Sequence, residues 1–317
     1  MANSEYVRDY FSDHASDWLA AAYALEELPA KYPVGLSRVR LTLKIINEHL
    51  GRSKGHLLDL GCGGGELCIA AANFGFQVTG IDIAKGMIEK AQRSRRSLPE
   101  ELQARIELLQ GDVLATGLDS QAYEMVSSLG LIEYLPEDWQ LFAEAFRLLK
   151  PGGVFVLSCR NRLFNSTSMN DYTQKEIERG SMSALVDESN RRTSEALPTD
   201  ALQIFLAELK NAFPKLEKAL ELDLSGKQDP KPPKPKFTEE RRQHTPDELW
   251  KSAQKAGFET PQFYGVHPHP FVPRLKFSAP RFFTQLARVY ESFEAFPISL
   301  TWSSAFIASF RKSGTKA

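Results

Sequence analysis

The 317-residue chain is poor in cysteine and lacks any long apolar run. Cys62, Cys68 and Cys159 have no metal-ligand spacing and cannot all pair with one another, so a reducing compartment is expected and no metal site is. No stretch of about 18 uncharged apolar residues is present, and Met1 to Tyr10 has no apolar signal core. Neither export nor membrane spanning is predicted, which makes the expected location cytoplasmic. An excess of either charge is also missing: 39 Lys and Arg face 40 Asp and Glu, a net charge of -1. Proteins that neutralise nucleic-acid phosphates carry basic excess, so nucleic acid is not the expected partner. No internal repeat is seen, and 42% hydrophobic content is enough for a large core.

What is present is alternation. From Asp9 to Leu50 apolar positions such as Val39, Leu43 and Ile46 recur at helical spacing, interrupted at Pro29 and Pro33. HLLDLGCGGGELCIAAANFG then reads as strand, tight turn and helix. QVTGIDIA, RIELLQGDV, YEMVSSLGLIEYL and VFVLSC supply four more strands, with helices at Lys85 to Arg95 and in DWQLFAEAFRLLKPGG. This alternation predicts an α/β, doubly wound sheet covered on both faces.

Residues 161–242 interrupt it, with two helical stretches (Asp171 to Arg179, Asp200 to Leu222) and the Pro/Lys-rich SGKQDPKPPKPKF. TPDELWKSAQKAGF restores a helix, with Thr245 as N-cap, Pro246 in the first turn and Gly257 as its stop. FETPQFYGV is a sixth strand, Pro280 to Phe293 a helix, and LTWSSAFIASF a final strand. The division is therefore 1–50, an N-terminal helical cap; 51–160, the core of the sheet; 161–242, a helical insertion expected to act as a lid; and 243–317, the return to the core.

The sharpest local signal is Asp59-Leu60-Gly61-Cys62-Gly63-Gly64-Gly65 between a strand and a helix. Glycines there permit positive φ and close backbone approach to a ligand, as a nucleotide-binding sheet requires after its first strand. Asp82 closes the second strand about 20 positions after Gly61, where a carboxylate can accept ribose hydroxyls. Asp112 stands at the end of the third. A dinucleotide dehydrogenase shares such a sheet but cradles pyrophosphate with G-x-G-x-x-G. Here the glycines are spaced by two and Glu66 follows, a poor neighbour for pyrophosphate.

In this set (DLGCGGG, Asp82, GDV, LLKPGG) the chain resembles the class I S-adenosylmethionine-dependent methyltransferases over Asp59 to Cys159. The resemblance implies a Rossmann-like seven-stranded sheet and S-adenosyl-L-methionine as cofactor. By it, Asp59, Gly61, Cys62, Gly63 and Gly65 surround the methionine part and Asp82 the ribose. Ile83, Asp112 and Val113 take the adenine, and Ser128 or Leu129 the amino acid end. YVRDYFSDHASDW is similar to the opening of the quinone-biosynthesis-type and porphyrin-ester-forming members.

In an open parallel sheet ligands lie outside the carboxyl ends of the strands. That rule collects the acceptor candidates. Glu133 and Tyr134 replace the Glu-His that relatives often carry. Arg160, Arg162, Arg241 and Arg242 can grip a carboxylate or phosphate. Tyr10 and Trp18 can cover the substrate. His267 and His269, in VHPHPF, are the expected proton acceptors, on the premise that a neutral imidazole of pKa near 6.5 takes a proton from a hydroxyl. The expected activity is methyl transfer to an oxygen of a small metabolite, with nitrogen next. The alternative is an inactive S-adenosylmethionine-binding regulator or scaffold.

Overall fold

The computed structural model describes residues 4–23, 27–51, 55–194, 197–226, 237–238 and 240–314. The strands are β1 (His56–Leu60), β2 (Gln77–Asp82), β3 (Ile106–Gln110), β4 (Tyr123–Leu129), β5 (Leu149–Arg160), β6 (Gln262–Pro268) and β7 (Ser303–Arg311). Three helices, α1 (Ser4–Asp13), α2 (Ala15–Ala22) and α3 (Val34–Leu50), precede them. Between strands lie α4 (Glu66–Asn73), α5 (Lys85–Arg96), α6 (Glu100–Gln103) and α7 (Trp139–Leu148). The insertion contributes α8 (Asp171–Glu178), α9 (Met182–Arg192) and α10 (Thr199–Leu224), and the return to the core adds α11 (Pro246–Lys255), α12 (Pro280–Tyr290) and α13 (Ser299–Trp302).

The seven strands form one sheet in the order β3-β2-β1-β4-β5-β7-β6. β7 runs antiparallel to both β5 and β6, so β6 points the same way as the first five strands. Their carboxyl ends therefore share one edge, as the sequence predicts. Side chains alternate between two cores, as a period of two demands. Leu58, Val126, Phe155, Leu157 and Phe310 meet α7 and α11 on one face. Leu57, Met125, Val154, Val156 and Ile307 meet α3 and α4 on the other. Phe142 is fully buried, edge-on to both Phe155 and Phe310; truncating such a side chain to alanine typically costs about 3–5 kcal/mol.

α11 starts where its sequence says it should. The Thr245 hydroxyl accepts the Glu248 amide at 3.2 Å, and the Glu248 carboxylate accepts the Thr245 amide at 2.9 Å. This reciprocal box satisfies two of the free amides of the first turn.

The insertion differs in detail from the sequence reading, with three helices among the described residues instead of two. α9 is rich in Ser, Asp and Asn, which weakens its pattern. It is held by tertiary ion pairs of Arg191 and Arg192 with Asp247, and Arg192 also pairs with Glu188 one turn back in the same helix. Similarly, LTW reads as strand but is helical in α13, because the Asn161 side chain donates to the carbonyls of Leu300 and Ser303 and pins the turn. Two of the insertion's helices dock on the return to the core: α9 on α11 through the pairs to Asp247, and α10 on α12, where the Asp223 carboxylate accepts the amides of Arg281 and Phe282. Its Pro/Lys-rich connector, 227–236, lies outside the described residues.

Candidate active site at the carboxyl edge of the sheet

The glycine loop leaving β1 is built on three left-handed residues, Gly61, Gly63 and Gly65, at φ of 77°, 53° and 82°. A side chain would strain each of them. The amides of Gly61 and Cys62 both donate to the Ile81 carbonyl, which ties the loop to β2. Asp82 completes the junction: one carboxylate oxygen accepts the Gly63 amide and the other the Ala84 amide, each at 2.9 Å. Burial pushes the Asp82 carboxyl up, and those two amides pull it down. A Cβ on Gly63 would meet no atom within 4 Å, so the loop faces open space at that residue.

The other expected cofactor residues fall around this junction. Ile83 follows Asp82 directly, and its carbonyl accepts the Gln110 side chain. Asp112 lies two residues beyond the end of β3, exposed, its carboxylate capping the Leu114 amide at 2.9 Å, and Val113 is buried beside it. Ser128 and Leu129 end β4, and the Ser128 hydroxyl is buried without a hydrogen-bond partner among the described residues. Asp59 sits one layer lower: it is buried, accepts the Ser127 hydroxyl at 2.8 Å and fastens β1 to β4 under the loop. Burial drives its carboxyl up to about 7, partly opposed by Ser127.

The N-terminal helices close over this edge. Ala15 and Leu19 pack with Ala84 and Met87, and Phe11, Trp18 and Tyr23 lie against that cluster. Tyr10 and Tyr134 are buried in an aromatic group with Phe11 and Phe237, at centroid separations of 5.0 to 5.2 Å along Phe237–Tyr10–Phe11–Tyr134–Phe237. Trp18 stands edge-on to Phe11 at 5.7 Å. The tail of the insertion thus reaches the site: Phe237 fills the group, and Thr238 bonds the Tyr6 hydroxyl.

Arg38 on α3 is a candidate site residue that the sequence reading missed. Its guanidinium lies 2.5 Å from where a Cβ of Gly130 would be, and Leu131 in turn covers Gly61. Its Nε is buried without a hydrogen-bond partner among the described residues. A buried guanidinium nitrogen without a partner is costly, and an anion bound there would offset that cost. The carboxylate of Glu133 is also buried; its Oε2 has no hydrogen-bond donor among the described residues, and Arg241 stands 3.8 Å away.

The remaining arginines divide. Arg242 is committed to Asp138 at 2.7 Å and to the Leu135 carbonyl, and Arg162 to Glu176 and Glu248, so both serve as clamps within the fold. Arg160 stacks over the Tyr172 ring at 5.0 Å.

His267 and His269 are adjacent, with ring centroids 4.4 Å apart. His267 adopts φ of 59°, stacks on Tyr32 and bonds the Ser304 hydroxyl at 2.8 Å. His269 is 7% exposed, stacks on Phe164 and has no hydrogen-bond partner for either ring nitrogen among the described residues. Here the expectation of an ordinary imidazole pKa is corrected. Burial, then the neighbouring His269 and the charges of Lys276, Arg38 and Lys31, hold His267 well below its usual range. Burial takes His269 down to about 3. Both rings are neutral at physiological pH, and neither is a ready store for a full proton.

A glycine loop locked by a strand-end aspartate, in a sheet of this order, defines a nucleotide-cofactor-binding α/β class. Residues 58–157 match the model of a methyltransferase domain family. The chain is 31% identical to a ubiquinone biosynthesis O-methyltransferase of Coxiella burnetii over 156 residues, 49% of this chain and 62% of that one. A protein of the same name from Xanthomonas oryzae is 30% identical over 154 residues, 49% and 60% of the two chains. The match thus spans about three fifths of these relatives.

Among solved structures, the [4+2]-cyclase SpnF aligns with a TM-score of 0.55 at 15% identity, covering 99% of this chain and 97% of that one. Haemonchus contortus phosphoethanolamine N-methyltransferase 2, in complex with S-adenosyl-L-methionine, aligns at 0.52 and 15%, covering 96% and 60%. At such identities these two speak for the fold alone.

Proposed function

We propose that the chain transfers the methyl group of S-adenosylmethionine to an oxygen of a small-molecule acceptor, with nitrogen as the second choice. The observation that carries the reading is the pairing of two features: the loop locked by Asp82, and the Arg38 guanidinium beside Gly130, whose Nε has no hydrogen-bond partner among the described residues. When bound, the cofactor supplies an electrophilic methyl on a sulfonium. Asp82 and the amides of 61–65 would hold its ribose and methionine part. Ile83, Asp112 and Val113 would hold its adenine, Ser128 and Leu129 its amino end, and Arg38 its carboxylate. Asp59 acts through Ser127 as a positioning residue.

The acceptor side is assigned to Glu133, Tyr134, Arg160, His267 and His269, closed by Tyr10, Trp18 and Phe237. Alignment and exclusion of water do most of the work in such a displacement. The neutral imidazoles of His267 and His269 orient the acceptor hydroxyl. Glu133, with an oxygen that lacks a hydrogen-bond donor among the described residues, takes its proton. The relatives named as O-methyltransferases support oxygen as the target.

The test is release of S-adenosylhomocysteine from methyl-labelled S-adenosylmethionine with a panel of phenols and hydroxy acids. Label appearing on an acceptor oxygen, and lost in Glu133→Gln, is expected. Tight cofactor binding with no label on any acceptor of the panel would favour a binding module.

A further inference from the structure

The helix α10 is fixed to the body along one face and bare along the next. Phe205 packs on Tyr290 and Phe293, and Asp223 holds the start of α12, so the helix cannot roll. Beside the buried face stand Leu202, Leu206, Phe213, Leu220 and Leu224, all exposed, with Phe213 at 57% and Leu224 at 76%. At about 100° per residue these five fall within about 40° of one another, a straight apolar stripe roughly 33 Å long. A single exposed leucine is ordinary, and Ile204 on the opposite side is such a case; a continuous stripe marks a partner.

The spacing names the partner. From Phe213 the stripe steps outward by equal intervals in both directions, to Leu206 and Leu220 and then to Leu202 and Leu224. Read backwards it is the same stripe. We propose that α10 pairs antiparallel with α10 of a second copy of this chain, about a two-fold axis at Phe213. In that register Leu202 meets Leu224 of the second copy, Leu206 meets Leu220, and Phe213 meets its own counterpart.

The charges agree. Lys210 and Glu217 are exposed on the same flank of the stripe, and neither enters an ion pair within the chain among the described residues. They lie almost equally far from Phe213 on either side, so antiparallel pairing sets Lys210 opposite Glu217 of the second copy, twice per dimer. Pro214 removes one helical hydrogen bond at the centre, but its ring projects about 100° away from the stripe and does not enter the seam. The stripe alone buries on the order of 1,000 Å² in the pair, near the lower bound for a specific interface, so micromolar self-association is expected. The inference does not depend on the proposed methyl transfer.

Sedimentation equilibrium of the full chain between about 1 and 100 μM tests it, with a dimer expected in that range. Leu206→Glu and Lys210→Glu should each weaken association at least tenfold, and Lys210→Glu with Glu217→Lys should restore it. The register has its own test, because the native Cys62, Cys68 and Cys159 are buried. Phe213→Cys should oxidise to a covalent dimer. Leu202→Cys alone should not, and Leu202→Cys with Leu224→Cys should. A chain that stays monomeric at about 100 μM overturns the proposal, including one that instead floats with lipid vesicles. So does a dimer indifferent to both the Lys210 swap and the Phe213 cross-link.

Discussion

One oxygen of the Asp82 carboxylate accepts the Gly63 amide at 2.9 Å, which joins the end of the second strand to the middle of the glycine loop. The same carboxylate accepts the Ala84 amide, so it holds loop and following helix in one frame. A ligand meets a loop already in its left-handed conformation. The binding energy is then not spent on ordering it.

The first prediction concerns Gly86. The Ser12 carbonyl oxygen lies where a Cβ on Gly86 would sit, closer than real Cβ contacts allow. Gly86→Ala must therefore push α1 off α5 without touching the cofactor residues. Faster proteolysis within α1 and about tenfold weaker binding of S-adenosylhomocysteine are expected, with little change in urea midpoint. Unchanged protection and affinity would show that α1 does not close the site.

Arg38 gives a prediction that separates one end of the cofactor from the rest. Arg38→Ala should weaken S-adenosylhomocysteine at least tenfold, because one charge-assisted contact is worth about 1.5–3 kcal/mol. Binding of 5′-methylthioadenosine, which lacks the amino acid, should be unchanged. Equal losses for both ligands would assign Arg38 to the fold.

Asp59 predicts a pH dependence of stability. Its carboxyl is raised to about 7 in the fold, chiefly by burial, above the ordinary 3.8. The folded state holds the proton more tightly, so this stabilisation is full below pH about 4 and is lost as pH rises through about 7. Asp59→Asn keeps the acceptor for Ser127 and removes the ionisation. Relative to wild type it should gain roughly a few kcal/mol between pH 5 and pH 8, read from urea midpoints. A difference independent of pH would contradict the assignment.

For His269 the expected outcome is silence. Its ring should show no titration by NMR between pH 8 and pH 5, since burial holds it at about 3. A midpoint near 6.5 would mean that the ring is accessible and able to serve as a conventional base.

Much of this architecture is legible in the residues. The sheet follows from the spacing of apolar runs, and Gly61, Gly63 and Gly65 announce positive φ because no other residue type adopts it so freely. Asp82 is legible because its position relative to that loop is set by one turn of the alternation. Arg38 is not. It sits in an amphipathic helix like any surface arginine, and only the chain returning at Gly130 makes it a site residue. The depressed imidazoles are equally hidden, because they depend on Tyr32 and Phe164, which arrive from distant segments. α9 escaped because its helix rests on an ion pair to Asp247 more than on a periodic apolar face.

The central claim, a cofactor site organised by Asp82, is tested most directly by calorimetric titration of S-adenosylhomocysteine into wild type and Asp82→Ala. Loss of the ribose contacts, at about 1.5–3 kcal/mol each, and of the tie to Gly63 predicts at least tenfold weaker binding. The circular dichroism of the variant should match wild type. Equal affinity in both proteins, or no binding to wild type, would contradict the account.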